Sequence, residues 1–352
     1  MKTQVNSILG LFFSLLLIVN TSYATTINYQ TNNLHGYIIQ SYVKSSGNPY
    51  LTNNTIEVSF DFTTVGLYLN LPLNPHFQVN LLGLSNRLGE INNGEPRFEI
   101  AELQYTTFHK TTEFVIKRGR SATPYGFFNQ TRTVSGLIPG VRLPTTIYFT
   151  GIEDVMLSAD GISVFSQIST SAGLLELDAY YGQHQVTSKS YTFQTFEQNI
   201  PGQYQPLIKK GYRLLFVPNQ FDQFKLAYSY LQLSSQFNGP NPEFSSLDFS
   251  HNNHLLSLAI QKRYWTLTSE VRYAQARGKL NNSTNEGFNT LSYYIQGQYS
   301  PTERFTYFLT FEDYIRDDAK ARTPDNYYNA VHADLRWHLQ KNIDYDSWTE
   351  FI

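Results

Sequence analysis

The residues of this 352-residue chain that could do chemistry do not assemble into a catalytic signature. Eight histidines are spread along it: His35, His76, His109, His184, His251, His254, His332 and His338. His251-Asn-Asn-His254 has the spacing of a metal pair, but the pair sits in a polar stretch with no third ligand nearby. There is no cysteine, which excludes a thiolate nucleophile, a zinc thiolate site and a disulfide framework. A hydrolase would need a nucleophile, a histidine and an acid in one place, and no local motif singles out such a set. Glycine-rich phosphate loops are absent, so neither a catalytic residue, a metal nor a cofactor is expected. The formal net charge of −2 argues against a nucleic-acid partner, which would ask for a basic excess.

What the charged side chains do show is regular placement. From 330 to 339 the chain reads Ala-Val-His-Ala-Asp-Leu-Arg-Trp-His-Leu. In an extended strand Val331, Ala333, Leu335 and Trp337 share one face, and His332, Asp334, Arg336 and His338 share the other. The same alternation places Glu270 and Arg272 opposite Trp265, Leu267 and Val271, and Lys225 opposite Phe224, Leu226, Tyr228 and Tyr230. Many such strands, apolar and aromatic on one side and polar on the other, fit a barrel with lipid outside and water inside. Lys225, Glu270, Arg272, His332, Asp334 and Arg336 then face the lumen.

Strand-like segments run almost without interruption. They are expected at 36–43, 56–71 (long enough for two strands), 77–84, 98–105, 112–118, 147–150, 155–165, 174–181, 211–217, 224–231, 255–261, 265–273, 291–299, 305–313, 329–338 and 348–352, about sixteen in all. Short connections rich in Pro and Asn, such as 73–76, 217–220 and 300–303, alternate with long polar ones expected at 232–254, 275–289 and 316–326. In outer-membrane barrels short turns face the periplasm and long loops face outside. The 26 Tyr and 25 Phe, against 15% charged residues, suit a wall whose aromatic rings meet the membrane–water boundary.

The first 24 residues read as an export signal: Lys2, an apolar run from Ile8 to Val19, then Ser22-Tyr23-Ala24 as a cleavage site. A retained anchor is the alternative, but the run is shorter than the ~18–20 residues a span needs. Residues 25–352 are then one barrel domain. The last segment, Trp348 to Ile352, begins an alternation and stops after about five residues, where a membrane strand needs ~9–11. The C-terminus is therefore expected to be truncated or shifted.

The most specific stretch is 117–149. It runs Gly119-Arg120, Pro124, Gly126-Phe127-Phe128-Asn129, Thr131-Arg132, Leu143-Pro144 and Ile147-Tyr148, with Asp160-Gly161 further on. This order resembles a group of Gram-negative porin-like proteins, with Thr133 standing where that pattern has an acidic residue. The resemblance implies a loop folded into the barrel that narrows the pore. Arg118, Arg120, Arg132 and Arg142 become candidates for a cationic constriction, with Glu153, Asp154 and Asp160 opposing them. Equally, these arginines could bond loop carbonyls and carboxylates and never meet solute. Parity adds a tension, because Arg118 shares its strand face with Phe114 and Ile116 and so points outward unless the register is reset.

The expectation is thus an all-β transmembrane antiparallel barrel of about sixteen strands with an inward constriction loop. It would lie in the outer membrane in contact with lipid, passing small hydrophilic solutes or ions, and by resemblance would form a homotrimer. A non-conducting structural or adhesion barrel and an outer-membrane hydrolase are the rival readings.

Overall fold

The computed structural model describes residues 33–43, 59–88, 92–134, 137–140, 143–149, 155–156, 158–186, 200–219, 223–281, 283, 286–320, 322–323 and 326–337. Almost all of them are strand. In chain order these are β1 (Asn33–Val43), β2 (Ser59–Pro72), β3 (Phe77–Leu88), the two-residue β4 (Asn92–Asn93), β5 (Arg97–His109), β6 (Thr112–Ala122), β7 (Ser158–Ser169) and β8 (Gly173–His184). A second two-residue strand, β9 (Gln203–Tyr204), precedes β10 (Leu207–Pro218), β11 (Phe224–Asn238), β12 (Ser246–Gln261) and β13 (Trp265–Leu280). The series ends with β14 (Glu286–Thr302), β15 (Phe305–Ile315) and β16 (Tyr327–Trp337).

One antiparallel sheet takes in every strand. Its path follows chain order from β1 to β16, with β4 added on β3 and β9 on β11. Each neighbouring pair runs antiparallel, and short turns at one end of the sheet alternate with connections of varied length at the other. At 73–76, for example, Asn74 Oδ1 accepts from the backbone N–H of both His76 and Phe77 at 2.9 Å, and the Leu73 N–H closes on the Phe77 carbonyl at 2.8 Å. Asparagine folds the chain back by satisfying the turn's own backbone donors.

The two faces of the sheet reverse the polarity of a soluble domain. On one face Ile38 is 76% exposed, Val331 68% and Leu309 59%. On the other, Glu270 and Glu312 are 0% exposed and Arg272 1%. Exposed apolar rows of this extent need an apolar solvent, and buried charges need partners, which is the amphipathicity of a transmembrane barrel wall.

The structure departs from the sequence expectations in three places. The described part of the strand expected at 147–150 is not a strand: a single helical turn, α1 (Thr145–Tyr148), starts after Pro144 and stops at Phe149, whose φ of 30° is left-handed. The segment at 56–71 is one strand, β2, over its described part. The connections at 232–254 and 275–289 are far shorter than expected, because β11, β12, β13 and β14 continue through most of them.

The reason is that the outward face of these strands turns polar toward the loop end. In β11 the outward residues change from Leu226 and Tyr228 to Gln232, Ser234 and Gln236, while the inward ones change from Ala227 and Ser229 to Leu231, Leu233 and Phe237. β12 follows on its outward face, from Leu258 and Leu256 to Asn252 and Ser250, while its inward face runs from Ser257 and Leu255 through Asn253 and His251 to Phe249 and Leu247. Past that crossover the outward face of β11 is polar and an apolar core lies within. The expected strand at 348–352 and the expected signal at 1–24 lie outside the described residues.

Candidate pore constriction

The inward core is built by the segment that joins β6 to β7. Tyr125, Ile147, Tyr148, Val155 and Met156 from this segment are fully or almost fully buried against Leu207, Leu231, Leu255, Tyr294 and Phe237 of the wall. The segment therefore folds inside the curved sheet. Two buried wall carboxylates hold it there.

The first is Glu270 on β13. Its Oε1 accepts from the Phe127 N–H at 3.0 Å and from Ser257 Oγ at 2.6 Å; its Oε2 accepts from Tyr148 Oη at 2.6 Å and Tyr294 Oη at 2.9 Å. Four donors on one buried carboxylate meet the rule that buried charge must be fully hydrogen-bonded. Gly126, at φ +61°, makes the approach possible: a Cβ there would lie 2.4 Å from Tyr148 Oη and 2.8 Å from Glu270 Oε1. The Gly126 N–H donates to Ser229 Oγ at 3.1 Å, and its carbonyl accepts from Arg213 Nη1 at 3.1 Å, whose Nη2 also pairs with Asp178 at 2.8 Å.

The second is Glu312 on β15. It accepts the Thr146 N–H at 3.1 Å, near the start of α1, and lies 2.6 Å from His332 Nε2. Arg336 Nη2 on β16 donates to the Ile138 carbonyl at 2.5 Å. Within the segment, Asn129 Nδ2 donates to the carbonyls of Thr123 and Met156 at 2.8 and 3.1 Å, which ties its two ends together. Burial pushes the Tyr125 phenol up. For Tyr148, burial and then the neighbouring Glu270 push the phenol well above its ordinary value, so both phenols remain protonated.

Lys225, Glu270, Arg272, His332, Asp334 and Arg336 all occupy the inward face. Their work differs. Arg272 stacks 4.4 Å over the Phe149 ring and donates to Asn253 Oδ1 at 2.9 Å, so it packs the segment rather than lining water. Glu270 and Arg336 hold the segment as described, and His332 braces Glu312. Among the remaining candidates, Arg132 donates to the Tyr148 carbonyl at 2.8 Å and braces the fold of the segment.

Arg118, Arg120 and Asp160 require a correction, because they do not lie at the constriction. Arg118 pairs in register with Leu103 and Ile162, both exposed on the outward face. Arg120 and Asp160 pair with each other two residues further along the same face, bidentate at 2.9 and 2.8 Å. Strand parity decides the direction, and no bulge resets it between Phe114 and Arg120. Arg142, Glu153 and Asp154 lie outside the described residues. The histidine pair is also resolved by parity. His251 faces inward, 3.2 Å from Arg272 Nη2, and His254 faces outward, 2.7 Å from Tyr228 Oη, so the two cannot share a metal.

Two features were not legible in the sequence. Glu312 belongs to a strand whose alternation was clear, yet nothing marked it as a loop anchor. The opposite wall carries a polar network centred on Asn80: its Nδ2 donates to Glu102 at 3.0 Å and Gln104 at 3.1 Å, while Asn70 and Tyr68 donate to its Oδ1 at 2.7 and 3.2 Å. Lys117 Nζ lies 3.4 Å from Glu102. The hydrogen bonds given above between 123–149 and the wall reach β10, β11, β13, β15 and β16, leaving this network on β2, β3, β5 and β6 facing inward across from the loop.

No protein-family model matches the chain, and no curated protein sequence matches it. Among solved structures it is similar to OmpT (in-vitro folded), an outer membrane protein of Vibrio cholerae, at 10% identity over 89% of this chain and 99% of that one, with a TM-score of 0.46. It is similar to the anion-selective porin from Comamonas acidovorans at 12% identity, covering 87% of this chain and 99% of that one, TM-score 0.36. The outer membrane channel DcaP of Acinetobacter baumannii gives 12% identity, 86% and 95% coverage, and a TM-score of 0.39.

Proposed function

We propose that this chain is an outer-membrane channel through which small hydrophilic solutes or ions diffuse passively. The observation that carries the reading is the asymmetry of the interior. A loop is fastened by Glu270, Glu312 and Arg336 to one sector of an inside-out wall, and a polar sector lined by Tyr68, Gln104 and Lys117 faces it. An inward loop with satisfied backbone bonds can narrow a water-filled lumen without unfolding, because non-helical backbone at membrane depth is stable where protein partners surround it.

Export through the 1–24 signal and assembly as a homotrimer belong to the same proposal. The first is supported by the apolar run from Ile8 to Val19 followed by Ser22-Tyr23-Ala24, and the second by the resemblance of 117–149 to porin-like proteins. A second reading, a plugged structural barrel, draws on the apolar core that Tyr125, Ile147 and Tyr148 form inside the wall. Liposome swelling separates the two. Vesicles carrying the folded protein should swell in solutions of small sugars and stop swelling as sugar size increases; absence of swelling with every solute would favour the plug.

A further inference from the structure

The outward face carries cations of its own, at one height. A single hydrogen-bonded row crosses four adjacent strands from Arg118 on β6 through Ile162 on β7 and Tyr181 on β8 to Lys210 on β10. The row continues into Gln232 of β11, the first polar outward residue past the crossover. The next row toward the short turns is Ile116, Val164, Ala179 and Tyr212, which is apolar and aromatic. Arg118 and Lys210 therefore stand at the point where the wall leaves hydrocarbon on the loop side.

Both side chains are exposed, and neither has a carboxylate partner among the described residues. Arg120, one step beyond, is neutralised by its bidentate pair with Asp160. Three strand-to-strand steps separate the two cations, about 14 Å at ~4.8 Å per step. Between them Ile162 and Tyr181 are 47% and 57% exposed and present a flat apolar and aromatic floor.

We propose that Arg118 and Lys210 seat the phosphate-bearing headgroup of a membrane lipid on the loop-side leaflet, its acyl chains lying over Ile162, Tyr181 and Tyr212. A cation at this boundary is attracted by anionic headgroups, each Lys or Arg strengthening binding about fivefold. Arginine can fork two phosphate oxygens, and lysine adds a reachable point charge on a flexible stem. Tyrosine placed between them has a ring for the chains and a hydroxyl for the polar layer. The proposal rests on the transmembrane reading given above.

The test uses the full chain folded into phosphatidylcholine vesicles, with insertion checked by protection of the strands from protease. The protein is then extracted in detergent and titrated by native mass spectrometry with lipid A carrying two phosphates, and with the same lipid freed of phosphate. The diphosphorylated lipid should bind at least tenfold tighter, and Arg118→Gln/Lys210→Gln should remove most of that preference. Lys262→Gln/Arg304→Gln, at the short-turn end, should leave it unchanged. Equal binding of the two lipids, an unaffected double variant, or displacement by millimolar inorganic phosphate alone would overturn the headgroup seat while the inserted barrel stands. Failure to insert would overturn the transmembrane reading and the seat with it.

Discussion

Tyr148 Oη lies 2.6 Å from Glu270 Oε2, joining a loop residue to a wall residue 122 positions away. The same carboxylate takes a backbone N–H from the loop and two hydroxyls from the wall. One buried side chain thus fixes where the loop sits in the lumen, and its removal is the most informative local perturbation.

Glu270→Ala leaves four donors without their acceptor. Uncovering buried partners of a charged group should destabilise loop docking by on the order of 3–5 kcal/mol. The expected outcome is a lowered thermal midpoint and proteolytic cleavage within 123–149, with the barrel retained. Glu270→Gln, which keeps one acceptor oxygen, should fall between. A loop as resistant as the wild type would show that Glu270 does not anchor it.

Alkaline pH should release the same contact. The Tyr148 phenol is held above its ordinary value in the docked loop, so docking stability is present below about pH 10 and is lost as pH rises beyond it, where the undocked phenol ionises first. Loop cleavage by an alkaline-active protease should therefore rise above about pH 10 in the wild type. Tyr148→Phe removes the titrating hydroxyl, so it should start from weaker docking and show a smaller rise.

Ion selectivity should follow the inward charges and ignore the outward ones. Lys117→Glu, beside Glu102 on the polar wall, should shift the reversal potential in a salt gradient toward cations. Arg120→Glu, on the outward face, should leave it where it was. A shift with Arg120→Glu and none with Lys117→Glu would invert the assignment of faces.

The two faces also differ in what they tolerate. Leu309→Arg puts a cation on an outward row, at a cost of about 2–4 kcal/mol if that row lies near the bilayer midplane. Gln104→Arg, on the inward face, should cost far less. Refolding yield into vesicles and urea midpoints measure both, and equal penalties would contradict the lipid assignment.

Much of this architecture was legible because the period of two is a property of adjacent residues. Trp265, Leu267 and Val271 against Thr268, Glu270 and Arg272 needs only a few positions to declare its faces. Strand ends were less legible. Past the membrane boundary Gln232, Ser234 and Gln236 turn outward and Leu231, Leu233 and Phe237 inward, so the alternation persists with opposite sign and resembles a polar loop. The loop anchors were illegible for a different reason. Glu270 and Glu312 reach Tyr148 and Thr146 only through the curvature of the whole sheet, and no local pattern encodes contacts across 122 and 166 positions. Parity had already pointed Arg118 outward, and the geometry sides with parity over the resemblance.

The most direct test of the channel is conductance of the folded protein in a planar bilayer. Discrete, long-lived current steps that grow linearly with voltage are predicted, together with larger steps for Glu270→Ala once the loop is released. Protein that is folded and inserted yet passes no current in either form would contradict the account.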